Sequence, residues 1–227
     1  MNIFSKLFKK PKQPSADVRG RLSPQAKLLC KAFPKKLQDD VTAVCKLLCR
    51  NAGYDSLNEV LGLNNELNLN GELVQIPQRI YYCELIDNEI QSLTETQRTV
   101  LYCIFTRSDN GYLREKYVRL LLANNYPQWT IPFIVKLSDD YVCEIVAAVY
   151  ELLKDKDTSD IRRFCLENKN AVHANYGRML NYWYEYYKTD CPDFYEYVGR
   201  KLFRECFGYS CKLRKRKLYI KAYGQDL

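Results

Sequence analysis

Apolar residues recur at helical spacing along most of this chain, and the clearest recurrence lies between residues 94 and 154. Thr94 and Gln97 have the spacing of a capping box, and behind them Gln97, Leu101, Ile104 and Phe105 fall on one helical face. Asp109-Asn110-Gly111 interrupts the pattern with residues that bond their own backbone or accept a positive φ. Leu113, Tyr117, Leu120 and Leu121 then restart an inward stripe. A second unit repeats the plan: Pro127 and Pro132 open a helix, Ser138-Asp139-Asp140 turns it, and Val142, Ile145, Val146, Val149 and Leu152 rebuild the face.

The flanking segments extend this reading. Ser23-Pro24 is an N-cap followed by proline at the first helical position, for a helix carrying Leu28, Leu29, Ala32 and Phe33. A second helix places Leu37, Val41, Val44, Cys45 and Leu48 on one face and closes near residues 51–53. Asn70-Gly71, between short alternating runs, predicts one small β-hairpin at 66–76, whereas residues 77–85 resist assignment. Helices are expected at about 160–168 and 171–188, the latter with a stripe of Val172, Tyr176, Met179, Leu180, Trp183 and Tyr187. A last one runs from Pro192 towards Gly208. The predicted fold is all-α: stacked antiparallel helix pairs, with a basic arm and linker at 1–22, a helical domain at 23–208 and a basic segment at 209–227.

Charge divides the chain along the same lines. The total is +8, but residues 1–36 carry ten basic side chains and one acid, and residues 199–221 carry nine and one. Residues 37–198 hold 16 bases against 24 acids, so an acidic body lies between two basic ends. That body repels phosphate, which leaves the run Lys212, Arg214, Lys215, Arg216 and Lys217 as the one candidate nucleic-acid contact, with Tyr209, Tyr219 and Tyr223 available for stacking on bases. Ile3, Phe4, Leu7 and Phe8 beside Lys6, Lys9 and Lys10 make a short amphipathic arm suited to weak contact with an anionic membrane surface. No run approaches the roughly 18 apolar residues of a membrane span, and the start lacks the apolar stretch of a secretory signal, so a cytoplasmic location is expected.

Ten cysteines without a CxxC spacing read as reduced, core-filling thiols rather than metal ligands or disulfides. His173 is the only histidine, nothing in the spacing sets a cysteine beside it, and no phosphate-cradling glycine motif occurs. Asp39-Asp40 and Asp139-Asp140 sit at predicted helix starts, where the helix dipole favours carboxylates. No catalytic role, metal or cofactor is therefore assigned. Nineteen tyrosines suit a protein interface, since tyrosine offers a large apolar face and a wet hydroxyl. The residues that fall off the predicted stripes, and so are expected to form that interface, are Tyr112, Arg114, Glu115, Arg119, Trp129, Glu144, Glu151, Tyr182 and Tyr186.

With its apolar first helices, turns holding Asp109 or Asp139, and Leu113-Arg114 or Val142 after the turn, residues 94–154 resemble HEAT/armadillo helical repeats. The place of the family's arginine holds Arg114 and then Cys143, the place of its alanine holds Tyr117 and Val146, and the two units lie 29 residues apart. The resemblance implies a stack of paired helices and a non-catalytic protein-binding role, as in an adaptor or a neutralising, immunity-type partner.

Overall fold

The computed structural model describes residues 22–50, 59–62, 66–123 and 125–210. The N-terminal basic arm, the predicted helix end at 51–53 and the Lys212–Lys217 run lie outside them.

Helix makes up 62% of the described residues. Helices α1 (Pro24–Cys30) and α2 (Gln38–Arg50) form a first hairpin. Strands β1 (Glu59–Leu61), β2 (Glu66–Leu69), β3 (Glu72–Gln75) and β4 (Arg79–Tyr81) follow, then α3 (Asp87–Gln91), α4 (Glu95–Phe105), α5 (Gly111–Leu122), α6 (Ile131–Lys136), α7 (Cys143–Leu153), α8 (Ser159–Glu167), α9 (Lys169–Tyr182) and α10 (Val198–Lys201). Two wider π-helical turns, Trp183–Tyr187 and Leu202–Cys206, extend α9 and α10. Helix α2 packs on both α1 and α4, α5 on both α4 and α7, and α10 on α7. Helix α6 packs on α8, which also meets α9 and β2.

The predicted local signals have physical counterparts. Ser23 Oγ accepts the Ala26 amide at 3.1 Å, and Thr94 and Gln97 close their reciprocal box at 3.2 and 3.3 Å. Asn70 and Gly71 both take positive φ, 54° and 87°, as the tight β2–β3 turn demands. Asn168 then holds the hairpin to the helices, accepting from the Asn68 amide at 2.7 Å and donating to its carbonyl at 2.9 Å.

A second two-stranded sheet was not expected from the sequence. β1 pairs antiparallel with β4, and the other edge of β4 bonds the turn after α4, through Ile80 N to Arg107 O at 2.8 Å and Asp109 N to Ile80 O at 3.0 Å. Three-residue strands carry too short an alternation to read, and only their partners fix them. The last helix likewise begins at Val198 rather than Pro192, because residues 194–196 form a turn that buries Phe194 and Tyr197 against α9.

The main correction concerns α5. Its buried face is Arg114, Tyr117, Val118, Leu121 and Leu122, one position round from the expected Leu113, Tyr117, Leu120 and Leu121; Leu120 is exposed. The spacing is as helical as the one predicted, but a charged residue occupies the position expected to be apolar. The segment from Thr130 to Asp140 is buried without interruption, and Lys136, Asp139 and Asp140 lie within it.

Two glycines test the backbone argument with opposite signs. Gly71→Ala places a Cβ at positive φ and is expected to cost about 1 kcal/mol, although no neighbour blocks the methyl. Gly177→Ala, in open space within α9, is expected to stabilise by about 0.5–1 kcal/mol. Urea midpoints of the two variants moving in the same direction would contradict this account.

Candidate interaction surface

The turn between α6 and α7 brings Asp139 and Asp140 inside, where an unpaired carboxylate is costly. Asp140 takes a two-pronged bond from Arg114, Nε at 2.8 Å and Nη2 at 3.0 Å, and a third contact from Arg79 Nη2 at 3.4 Å. Its Oδ1 also accepts the Val142 amide at 3.1 Å, so one carboxylate both neutralises α5 and starts α7. Arg114 Nη1 donates to the carbonyls of Ser108 and Asp109 at 2.9 and 2.8 Å, fixing the turn before its own helix. Asp139 accepts from Lys136 at 2.8 Å and from Arg178 of α9 at 2.5 Å. The aspartate pair is thus a buried ionic hub rather than the simple helix-start charge expected from the sequence.

A fifth cation joins this hub. Arg107 is fully buried; Nε and Nη2 donate to the carbonyls of Pro77 and Gln78 at 3.1 and 2.8 Å, and among the described residues Nη1 has no partner. Arg79 Nη1 donates to the same Gln78 carbonyl at 2.9 Å, so two guanidinium groups converge on one oxygen. Arg79, Arg107, Arg114, Lys136 and Arg178 therefore stand against Asp139 and Asp140, a formal excess of three positive charges. Burial, reinforced by Arg79 and Arg114, pushes Arg107 down to about 10. Burial also pushes Lys136 down to about 8, with Arg107 and Arg178 adding to the fall and Asp139 opposing it. Burial alone would raise the Asp139 carboxyl, but Lys136, Arg178 and Arg107 hold it below the ordinary aspartate value.

Aromatic rings cover the hub. The Tyr141 ring lies 5.6 Å from the Arg114 guanidinium and 6.0 Å from that of Arg79, and 47% of the residue remains exposed. Tyr182 stands edge-on to Tyr141 at 6.3 Å and stacks on Tyr186 at 6.2 Å; Tyr186 is 64% exposed. The widened turn at 183–187 places Tyr186 beside Tyr182, and Tyr187 fastens that turn to the hub by donating to the Tyr141 carbonyl at 2.6 Å while accepting the Cys143 amide at 3.0 Å.

The sequence-predicted interface residues divide sharply. Tyr182 and Tyr186 come together, and Tyr112 is open to solvent at the start of α5. Arg114, expected on the surface, is wholly buried because Asp140 and two carbonyls occupy its donors, which removes it from any direct contact. Trp129 is half-buried, its ring 6.0 Å from Phe33. Glu115 pairs with Arg119 at 2.8 Å, Glu151 pairs with Lys154 at 2.5 Å, and Glu144 is exposed in the first turn of α7. Tyr209, expected to be available for bases, packs between Tyr176 and Phe203, its hydroxyl 2.6 Å from His173 Nδ1. Sequence reasoning missed Tyr141, Arg79, Arg107, Lys136 and Arg178. One signal was present: Lys136 and the aspartate pair interrupt an apolar run, IPFIVKLSDDYV, in which each charge requires an internal partner.

Among the described residues no three of His, Cys, Asp and Glu are grouped to hold a metal ion, and no helix is long and apolar enough to cross a membrane. The nine cysteines within them are free thiols, with Cys45, Cys103, Cys165 and Cys206 buried. No protein-family profile, curated protein or solved structure matches the chain.

Arg114→Ala is expected to destabilise the fold by about 3–5 kcal/mol, since it strands Asp140 in the interior, whereas Arg119→Ala should change stability by less than about 0.5 kcal/mol. Equal unfolding midpoints for the two variants would refute the assignment. Lys136 gives a pH signature. Between about 8 and its ordinary 10.5 the unfolded chain binds the proton more tightly, so this residue penalises folding below that window and the penalty lifts as pH rises through it. Relative to Lys136→Met, the wild type should gain about 1 kcal/mol from about pH 7 to about pH 9. Cysteine and tyrosine titrations occur in both proteins and cancel; a flat difference would mean that Lys136 titrates normally.

Proposed function

We propose that the chain is a non-catalytic, helical-repeat-like protein-binding module, an adaptor or a neutralising partner, and that it binds through the tyrosine surface of Tyr141, Tyr182 and Tyr186. The observation that carries this reading is the placement of these rings. They are partly exposed, in contact through an edge-on pair and a stacked pair, and mounted on a buried ionic hub joining α5, α7 and α9. Rings held on a rigid base lose little conformational entropy on association, and tyrosine with arginine is the composition of interface centres. The HEAT/armadillo resemblance of residues 94–154 belongs to this proposal, since such stacks present surfaces rather than reaction centres. Glu144, Glu151 and the Glu115–Arg119 pair are charged surface groups suited to the rim of such a contact.

Quantitative affinity capture from the producing cell, comparing wild type with Tyr186→Ala and Tyr141→Ala, tests the assignment. A partner held through this surface should be depleted at least about tenfold by either change, in line with loss of an aromatic hot spot. Neutralising Lys212, Arg214, Lys215, Arg216 and Lys217 should leave it bound. Loss with the charge variant alone, accompanied by salt-sensitive binding to DNA or RNA, would favour a nucleic-acid-associated role and reject this one.

A further inference from the structure

The hub beneath the tyrosines is electrically incomplete. Burying ions is tolerated when each is compensated, yet five cations here share two carboxylates. Arg107 Nη1 is a buried donor with no acceptor among the described residues, a type of group rarely left so in a folded protein. Two of the five cations reach solvent. Arg107, Arg114 and Lys136 are sealed, but the Arg79 side chain is 16% exposed and that of Arg178 is 36% exposed. Tyr182 is one helical turn beyond Arg178 on α9 and stands edge-on to Tyr141, whose ring lies 6.0 Å from the Arg79 guanidinium. Burial and the charges of Asp139 and Asp140 raise the Tyr182 phenol, while Arg178 and Arg79 pull it down, so the ring senses both ion pairs at once. Among the described residues Arg178 Nη1 makes no hydrogen bond, and neither does Arg79 Nε.

We infer that Arg79 and Arg178, the two cations of the hub that reach solvent, together with Tyr141 and Tyr182 form an oxyanion site that takes the carboxylate of an acidic side chain presented by a protein partner. The two oxygens of a carboxylate can each take one charge-assisted donor, Nε from Arg79 and Nη1 from Arg178, and the neighbouring rings supply the apolar contact that excludes water from it. A single carboxylate suits the surroundings better than a polyanion, because residues 37–198 carry eight net negative charges that a phosphate chain would meet on approach. The inference deepens the protein-binding reading and rests on it only for the source of the carboxylate; the anion site itself is tested without any partner.

The test uses the full chain, labelled so that arginine Nε–Hε resonances are resolved, with Arg79 and Arg178 assigned by Arg79→Gln and Arg178→Gln. Each variant leaves its aspartate on a second cation, Arg114 or Lys136, which retains the fold's internal pairing. Acetate is titrated at constant ionic strength against chloride, and inorganic phosphate in a parallel series. Expected is a saturable movement of both resonances with acetate, absent with chloride. In Arg178→Gln the Arg79 resonance should titrate at least about tenfold more weakly, as for loss of one charge-assisted hydrogen bond. Because the signals are local, anions held by the basic ends do not mimic this result. Movement with phosphate alone would overturn the carboxylate assignment in favour of a phosphorylated ligand, and no saturable movement with either anion would overturn the site. If the arginines respond while Tyr186→Ala retains every partner, the protein-binding reading fails and the anion site stands; the reverse pattern separates the two in the other direction.

Discussion

The two-pronged bond from Arg114 to Asp140 is the constraint on which the centre of this fold depends. A carboxylate and a guanidinium are both removed from water here, and each alone would cost several kcal/mol. Their union fixes α5 in rotation, because only with Arg114 inward do Tyr117, Val118, Leu121 and Leu122 become the buried face. It also fixes the beginning of α7, since the same carboxylate accepts the Val142 amide. An apolar pair of similar volume would pack the space, but it would neither orient the turn before α5 nor cap the turn before α7. Register, more than net stability, is what such a pair supplies.

That constraint also explains where the sequence was legible. Features decided within four residues were readable: the Ser23 and Thr94 caps, the Asn70-Gly71 turn and the apolar stripe of α9 all appear as their spacing requires. Their causes are local backbone geometry and periodic burial. The face of α5 was not readable, because Leu113 and Leu120 compete with Val118 and Leu122 for the same core at equal helical spacing. The choice between them is made by Asp140, 26 residues away. Strands β1 and β4 failed for the same reason, as each exists only through a partner distant in sequence. Of the site, Tyr182 and Tyr186 were foreseen as off-stripe aromatics, whereas Tyr141 and the cations beneath it follow from tertiary pairing alone.

Charge has opposite distributions at the surface and within. Residues 37–198 are acidic in sum, yet the most deeply placed ionisable group in them is predominantly cationic. Among the described residues the acids other than Asp139 and Asp140 are not buried, so water screens them, and guanidinium groups are drawn inward to the backbone carbonyls of Pro77, Gln78, Ser108 and Asp109. Those neutral acceptors satisfy hydrogen-bond geometry without cancelling charge. Hydrogen bonds to carbonyls and an excess positive potential are thus compatible: Arg107 places Nε and Nη2 on carbonyls, while Nη1 has no partner among the described residues.

The tyrosine surface inherits its order from this interior. Tyr141 directly follows Asp140, so the bond that places the carboxylate also places the ring above Arg114 and Arg79. Tyr187 ties the wide turn after α9 to the same backbone, and that turn carries Tyr186 beside Tyr182. Two segments some forty residues apart in sequence are thereby held in one geometry by bonds that end on a single short segment, Asp139 to Cys143. Exposed rings on a flexible loop would be ordered only on binding and would weaken it; rings whose backbone is anchored on buried ions are ordered beforehand. The cost of burying charge is borne by the fold, and its consequence is a pre-organised surface.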